Sequence, residues 1–393
     1  MKCWCENNRI LTRSGALAEK IPFVECGRLF DVEDAFCHSA EMDNLFDAAM
    51  TEAVAWHRIN CPEFSAFLDL KGFFPGIRPI PSDTIPPLLV TIFKEHRLIS
   101  VPEESVKIEL TSSGTGGQRS AIVLDNRSYN RILKIVDGIF GSLGLVQRDT
   151  KVNYIAFTYD PKVAGSVGTA FSDKILTGLT KRGSVFYAIK WDKVKESFSF
   201  DLDATVKKLL KFASGASPVR ILGFPAYLWQ VCETLESKGE GLHLGEQAYI
   251  ITGGGWKIHK DQEIPKDEFK ERVAKILGMP VANIRDTFGM VEHGIPYVDC
   301  ECSRLHVPVY ARARAVDPET LQPVEPGQIG LLHLMTPYLS SYPSISLLTT
   351  DKAIIGQNCP CGRPGNTIKI MGRAGLAKHK GCAITALEYL AQT

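Results

Sequence analysis

The sequence carries almost no surplus of charge. Its 45 lysines and arginines meet 44 aspartates and glutamates, leaving a net charge of +1. No basic stripe or block of like charges runs through it, which excludes the electrostatic grip that nucleic acid requires. No window approaches the ~18 apolar residues of a membrane span. The opening MKCWCENNRILTRSG lacks the apolar stretch of a signal peptide. Internal repeats and low-complexity segments are missing too, as is the GK[ST] of a Walker loop. These absences predict a cytoplasmic protein with no nucleic-acid partner and no membrane span. Cysteine, by contrast, is plentiful: 11 residues, an odd number. In a reducing compartment that points to metal or thiol chemistry rather than a disulfide framework.

The 393 residues, 45% of them hydrophobic, predict a large α/β domain with embellishments or two to three subdomains. Apolar residues at helical spacing predict a helix across 27–60. A proline-studded stretch, GFFPGIRPIPSDTIPPLLVTIFKEHRLI, reads as an extended connection. VKIEL, KVNYIAFTY, SVFYAIKW, VRILGF and QAYIITGGG read as strands. SYNRILKIVDGIFGSLGL, ATVKKLLKFAS, AYLWQVCETLESKG and KDEFKERVAKILG read as helices between or beside them. Such alternation predicts a parallel sheet covered on both faces. After residue 300 the pattern changes. LHVPVYARARAVD, IGLLHLMT and LLTTDKAII predict a small antiparallel β unit. The expected division is a helical region with an extended lead-in over 1–100, an α/β domain over 101–299, a β-rich subdomain over 300–375 and a tail over 376–393.

Several segments could carry chemistry. TSSGTGGQRS, at 111–120, follows a probable strand. Gly114, Gly116 and Gly117 would let backbone N–H groups approach phosphate oxygens, with hydroxyls from Ser112, Ser113 and Thr115 and a charge from Arg119. On its own the stretch suits a flexible linker equally well. ITGGGWK ends a strand in bare backbone, where α/β proteins place ligands, or else forms a tight turn. In DTFGMVEHG, Glu292 could hold magnesium or lie solvated. CECSRLH and CPCGR fit a tetrahedral zinc site built from Cys302, His306, Cys359 and Cys361, with Cys300 as a spare or a replacement. The alternative is a set of reduced cysteines under a β surface. In KHKGC, neighbouring positive charge would lower the pKa of Cys382 and make its thiol nucleophilic, or else Cys382 is an incidental cysteine near a frayed terminus.

Taken in order, these segments resemble the adenylate-forming enzymes. More narrowly, they resemble the acyl-protein synthetase (LuxE) family, related to the phenylacetate–coenzyme A ligases. The resemblance rests on TSSGTGGQRS, ILGFPAY, ITGGGWK, DTFGMVEHG, LLTTD, CPCGR, the GR at 372–373 and KGC. It implies an adenylate-forming α/β fold with a small C-terminal β unit. It implies a phosphate loop at Thr111–Gly117, an adenine wall at Gly253, Gly254 and Gly255, and adenine stacking on Phe288. It further implies magnesium at Glu292, ribose contacts at Asp351, help from Arg373 at ribose or phosphate, and an acyl-accepting Cys382. Two departures stand out. The usual loop reads SGTTG and then Lys, whereas this one reads SGTGG with Ser120 in the Lys position. The chain also stops about 20 residues after Arg373, so the usual mobile C-terminal lid domain is expected to be absent. The implied activity is ATP-dependent activation of a fatty acid, transfer to Cys382, and delivery to a partner acyl reductase. The acyl pocket is expected around Phe224, Tyr227 and Trp229, which suit plain core equally well. Two other readings are a coenzyme A ligase and a non-catalytic zinc-stapled scaffold.

Overall fold

A computed structural model describes residues 23–75, 79–111, 120–160, 168–192, 197–256 and 261–374. Fifteen strands are found among them: β1 (Leu88–Leu89), β2 (Val106–Thr111), β3 (Ala121–Asp125), β4 (Gln147–Tyr159), β5 (Thr180–Asp192), β6 (Ser197–Phe200), β7 (Val219–Gly223), β8 (Tyr249–Gly253), β9 (Ile284–Phe288), β10 (Tyr297–Asp299), β11 (Leu305–His306), β12 (Arg312–Val316), β13 (Gly330–Met335), β14 (Ser346–Gly356) and β15 (Thr367–Arg373). Thirteen of them form one sheet. Its path runs β12-β13-β14-β15-β11-β10-β9-β8-β7-β4-β5-β6, with β1 beside β14, while β2 and β3 form a separate hairpin.

Half of the sheet is the expected parallel α/β layer. β9, β8, β7, β4 and β5 are mutually parallel. Parallel neighbours need a crossover, and helices Gly168–Leu176, Pro225–Ser237 and Lys266–Leu277 occupy those connections. From β10 onward the pairing along the path is antiparallel, and β1 alone lies parallel to β14. The expected antiparallel β unit continues the same sheet. β10 folds back on β9 and splices the antiparallel half onto the parallel half.

Two sequence expectations meet local corrections. The helix expected across 27–60 is broken into Val24–Phe30 and Ala40–Asn60. The break is a start signal: Ser39 has extended backbone and its side chain accepts from Met42 N, a serine N-cap. Likewise, the single strand expected in LHVPVYARARAVD is interrupted between β11 and β12. Pro308 lies in that gap and has no N–H for a ladder.

Among the described residues, the longest irregular buried segment is Thr336–Ile345, between β13 and β14. Buried backbone polar groups need partners, and here neighbouring elements supply them. Arg131 Nη1 donates to the Tyr338 carbonyl (3.0 Å), and His57 Nε2 to that of Leu339 (3.0 Å). Trp56 Nε1 donates to the Ser340 carbonyl (2.6 Å), and the Ser100 N–H to that of Ser341 (2.9 Å). The Ser340 N–H donates to Ser128 Oγ at 2.9 Å, and the Ser340 hydroxyl to Asp125 at 2.9 Å. Helices Ala40–Asn60 and Asn126–Ser142 thus hold this loop through side chains.

Burial depresses three histidines of this core, His57, His293 and His333, to pKa values of about 3. Unfolded, each takes up its proton near pH 6.5. The folded state therefore keeps its full stability above that pH. It loses about 1.4 kcal/mol per pH unit for each histidine as pH falls towards 3. Urea denaturation between pH 7 and pH 5 should show this decline, and His57→Gln should make it shallower by one proton. An unchanged slope in the variant would remove His57 from the account.

Candidate active site

The C-terminal ends of the parallel strands form one edge of the sheet. There β8 finishes at Gly253, followed by Gly254 and Gly255 with φ of 77° and 65°. Only glycine adopts that conformation without strain. Gly253 is glycine for a different reason. It pairs with Thr287 of β9, and a Cβ on it would lie 2.5 Å from Thr287 Oγ1. That hydroxyl donates back to the Thr252 carbonyl at 2.8 Å. Bare backbone is therefore enforced at the strand end. Phe288 closes β9, half-buried, with its ring 6.2 Å from that of Tyr297.

Four residues on, Glu292 sits buried in the turn that joins β9 to β10. The turn is clamped on both sides. His293 Nε2 and the Tyr297 hydroxyl are 2.8 Å apart, with the two rings stacked. Gly294 has φ of 76°, and a Cβ there would fall 2.0 Å from the Tyr338 hydroxyl. Tyr338 belongs to the buried loop described above, so that loop backs the turn carrying Glu292.

Asp351 of β14 and Arg373 of β15 are register partners, with Arg373 Nε 3.6 Å from Asp351 Oδ1. Burial pushes the Asp351 carboxyl up, Arg373 pulls it down, and Glu292 pushes it up again. The charge of Glu292 thus reaches Asp351 across the two halves of the sheet. Thr111 ends β2 opposite Ala121. Ser112, Ser113, Gly114, Thr115, Gly116, Gly117 and Cys382 lie outside the described residues. Of the expected acyl-pocket residues, Trp229 is core, packed near Trp256 and Phe269. Phe224 and Tyr227 lie just beyond the end of β7, their rings 6.2 Å apart.

The thiols assemble differently from the expectation in one position. Cys300, His306, Cys359 and Cys361 bring their donor atoms within 4.8 Å of one another, and Cys302 is outside the group. The reason is a turn. The Cys300 N–H donates to the Arg304 carbonyl and the Ser303 N–H to the Cys300 carbonyl, with Ser303 at φ 58°. That turn aims Cys300 at the cluster and leaves Cys302 to donate its N–H to Cys300 Sγ at 3.3 Å. CPCGR repeats the device: the Gly362 N–H donates to the Cys359 carbonyl, with Gly362 at φ 79°. Both segments read Cys-x-Cys, a small left-handed residue, then Arg. That recurrence is a sequence signal for paired knuckles. The donors suit a tetrahedral ion. Zinc–sulfur bonds of about 2.3 Å set two thiolates about 3.8 Å apart, and Cys300 and Cys359 Sγ are 3.6 Å apart. Burial, aided by Arg363, lowers His306 to a pKa of about 4, so its imidazole is neutral, the form that ligates.

A buried charge network joins this cluster to the glycine edge, and sequence reading missed it. Asp299, fully buried, accepts from Lys266 and Lys270 at 2.8 Å each and from the Asp286 N–H at 3.0 Å. Lys270 also donates to Ser303 Oγ at 2.8 Å, inside the first knuckle. Asp286 in turn accepts from Thr252 Oγ1 at 3.0 Å, one residue before Gly253. Lys270 sits in an amphipathic helix where a lysine reads as solvent-facing, so nothing local announces its burial.

A family model described as acyl-protein synthetase, LuxE, matches residues 26–391. The long-chain-fatty-acid–luciferin-component ligase of Aliivibrio fischeri is 28% identical over 349 residues, covering 88% of each chain. The ligase of the same name from Vibrio harveyi is 26% identical over 354 residues, again covering 88% of each. Among solved structures, an open conformation of 2-hydroxyisobutyryl-CoA ligase superposes with a TM-score of 0.64 at 16% identity. That match covers 87% of this chain and 73% of the other. The likeness to the latter shows the shared fold.

Two outcomes are expected from the cluster and its strut. Zinc titration should give one tight site that survives Cys302→Ser and is lost in Cys300→Ser; the reverse pattern would restore Cys302 as the ligand. Lys270→Met leaves Asp299 buried with one fewer partner. It should cost about 3 kcal/mol in denaturant unfolding, and a loss under about 1 kcal/mol would mean the pair is solvated.

Proposed function

The chain belongs to the acyl-protein synthetase (LuxE) family, and from that premise we propose that it is the ligase that activates a long-chain fatty acid with ATP and carries the acyl group on Cys382. The observation that supports this most directly is the meeting of three features. They are a glycine-enforced strand edge at Gly253–Gly255 with Phe288 beside it, the buried Glu292, and the Asp351–Arg373 pair that feels the charge of Glu292.

In this reading the adenine ring lies along the Gly253–Gly255 backbone and against Phe288. Asp351 accepts from the ribose hydroxyls, and Arg373 faces the ribose or the phosphate. Thr111 and the residues up to Gly117 present hydroxyls and backbone N–H groups to the phosphates. Glu292 is the carboxylate suited to hold magnesium, which would offset negative charge on the phosphate oxygens. A fatty carboxylate is a poor acyl donor because oxide is a poor leaving group. Its oxygen attacks the α-phosphorus, the bond to pyrophosphate breaks, and an acyl-adenylate forms. The thiolate of Cys382 then attacks the acyl carbon and AMP departs, leaving a thioester. A partner acyl reductase, by resemblance, takes the acyl group on. Zinc held by Cys300, His306, Cys359 and Cys361 would be structural, because four protein donors leave no open position.

Cys382→Ser should retain ATP–pyrophosphate exchange driven by tetradecanoic acid while mass spectrometry finds no acyl group on the C-terminal peptide. Undiminished acyl-coenzyme A production by the variant would assign the chain to coenzyme A ligation instead. Absence of acid-dependent exchange in the unaltered chain would sink the activity altogether.

A further inference from the structure

Large hydrophobic side chains that stay exposed in contact with one another call for an explanation. Among the described residues, three exposed aromatics stand out: Phe74, Trp191 and Phe198. Phe74 lies apart, under the Arg58 guanidinium at 5.6 Å. Trp191 of β5 and Phe198 of β6 are directly paired across the strands. Their ring centroids are 5.0 Å apart, and they are 40% and 38% exposed. Phe198 also meets Tyr159, the last residue of β4, at 4.5 Å, over the strand between them. These three rings form a ledge at the same strand-end edge that holds Gly253–Gly255.

The ledge continues inward. Two residues along from Phe198, Phe200 lies 4.7 Å from Tyr227 and 6.0 Å from Phe157. Tyr227 lies 6.2 Å from Phe224 at the end of β7. Aromatic contacts thus step from the solvent rim to the strand next to the glycine edge. We propose that this ledge, Trp191, Phe198 and Tyr159, binds the distal end of the substrate's alkyl chain and favours long acids over short ones. The proposal rests on the fatty-acid reading above and extends it to a site outside the expected pocket.

Distance supports the assignment. The sheet order β8-β7-β4-β5-β6 places β5 and β6 three and four strands from β8. At about 4.8 Å per strand that is roughly 14–19 Å, within reach of a long alkyl chain and beyond a short one. Chemistry supports it as well. Aromatic faces offer apolar area at low entropic cost, and neither of the two ring contacts uses a charged group.

The test compares tetradecanoic and octanoic acids in ATP–pyrophosphate exchange by the full chain, Trp191→Ala and Phe198→Ala. The expected result is a KM for tetradecanoic acid raised about tenfold, equivalent to losing contact with about two methylenes, with kcat little changed. The KM for octanoic acid should move far less. A second measurement is independent of catalysis: a tetradecanoic acid brominated at its far end should quench tryptophan fluorescence, and Trp191→Phe should remove most of that quenching. Equal effects on both acids, or quenching that survives Trp191→Phe, would overturn the proposal. So would variants that adenylate both acids normally and fail only in passing the acyl group to an added protein acceptor, since the ledge would then dock protein. If the unaltered chain activates no acid but the quenching behaves as expected, the catalytic reading falls and the alkyl ledge stands.

Discussion

The structure depends on the requirement that buried backbone polar groups be paired. Thr336–Ile345 is wholly buried and belongs to no strand or helix. Four successive carbonyls, from Tyr338 to Ser341, each accept from a group on a different residue: Arg131, His57, Trp56 and Ser100. Each such bond adds only about 1 kcal/mol net, but leaving one unmade costs more. The N-terminal helices are consequently an internal scaffold rather than an appendage. They fix the loop, the loop supplies Tyr338, and Tyr338 closes over Gly294 beside Glu292. The carboxylate of the candidate site is thereby placed through residues more than 150 positions away in sequence.

Elements with their own periodicity were legible in advance. Helices Leu202–Ala213 and Pro225–Ser237 and strands β4, β5, β7 and β8 fall where alternation and helical spacing put them. The strand end in glycines was legible as well, because three glycines follow an apolar run. What escaped was set by tertiary context. SSYPSIS looks like a polar surface loop, and its burial follows from partners far off in the chain. Lys270 occupies a helix rich in charge, and only the fold turns it inward onto Asp299. Cys300 and Cys302 are indistinguishable by spacing. The left-handed Ser303 decides which thiol points inward, and a non-glycine residue in that conformation leaves little trace in sequence.

The thiol cluster and the glycine edge are linked by charge as well as by apolar packing. A buried carboxylate with two lysines is costly to assemble and gains little over a hydrophobic substitute. Its geometry is demanding, however, since Asp299 must meet two ammonium groups and a backbone N–H together. Such a network suits registration: it aligns the first knuckle with the end of β8 through Ser303, Lys270, Asp299, Asp286 and Thr252.

The splice between β9 and β10 has a mechanical consequence. Hydrogen bonds run unbroken from β8 through β9, β10, β11 and β15 to β14. The glycine edge and Asp351 therefore cannot hinge apart without tearing a ladder, and they behave as two jaws of one rigid vise. On the nucleotide reading proposed above, the gap needed for entry and exit would have to open in the connecting turns, with the sheet itself standing still.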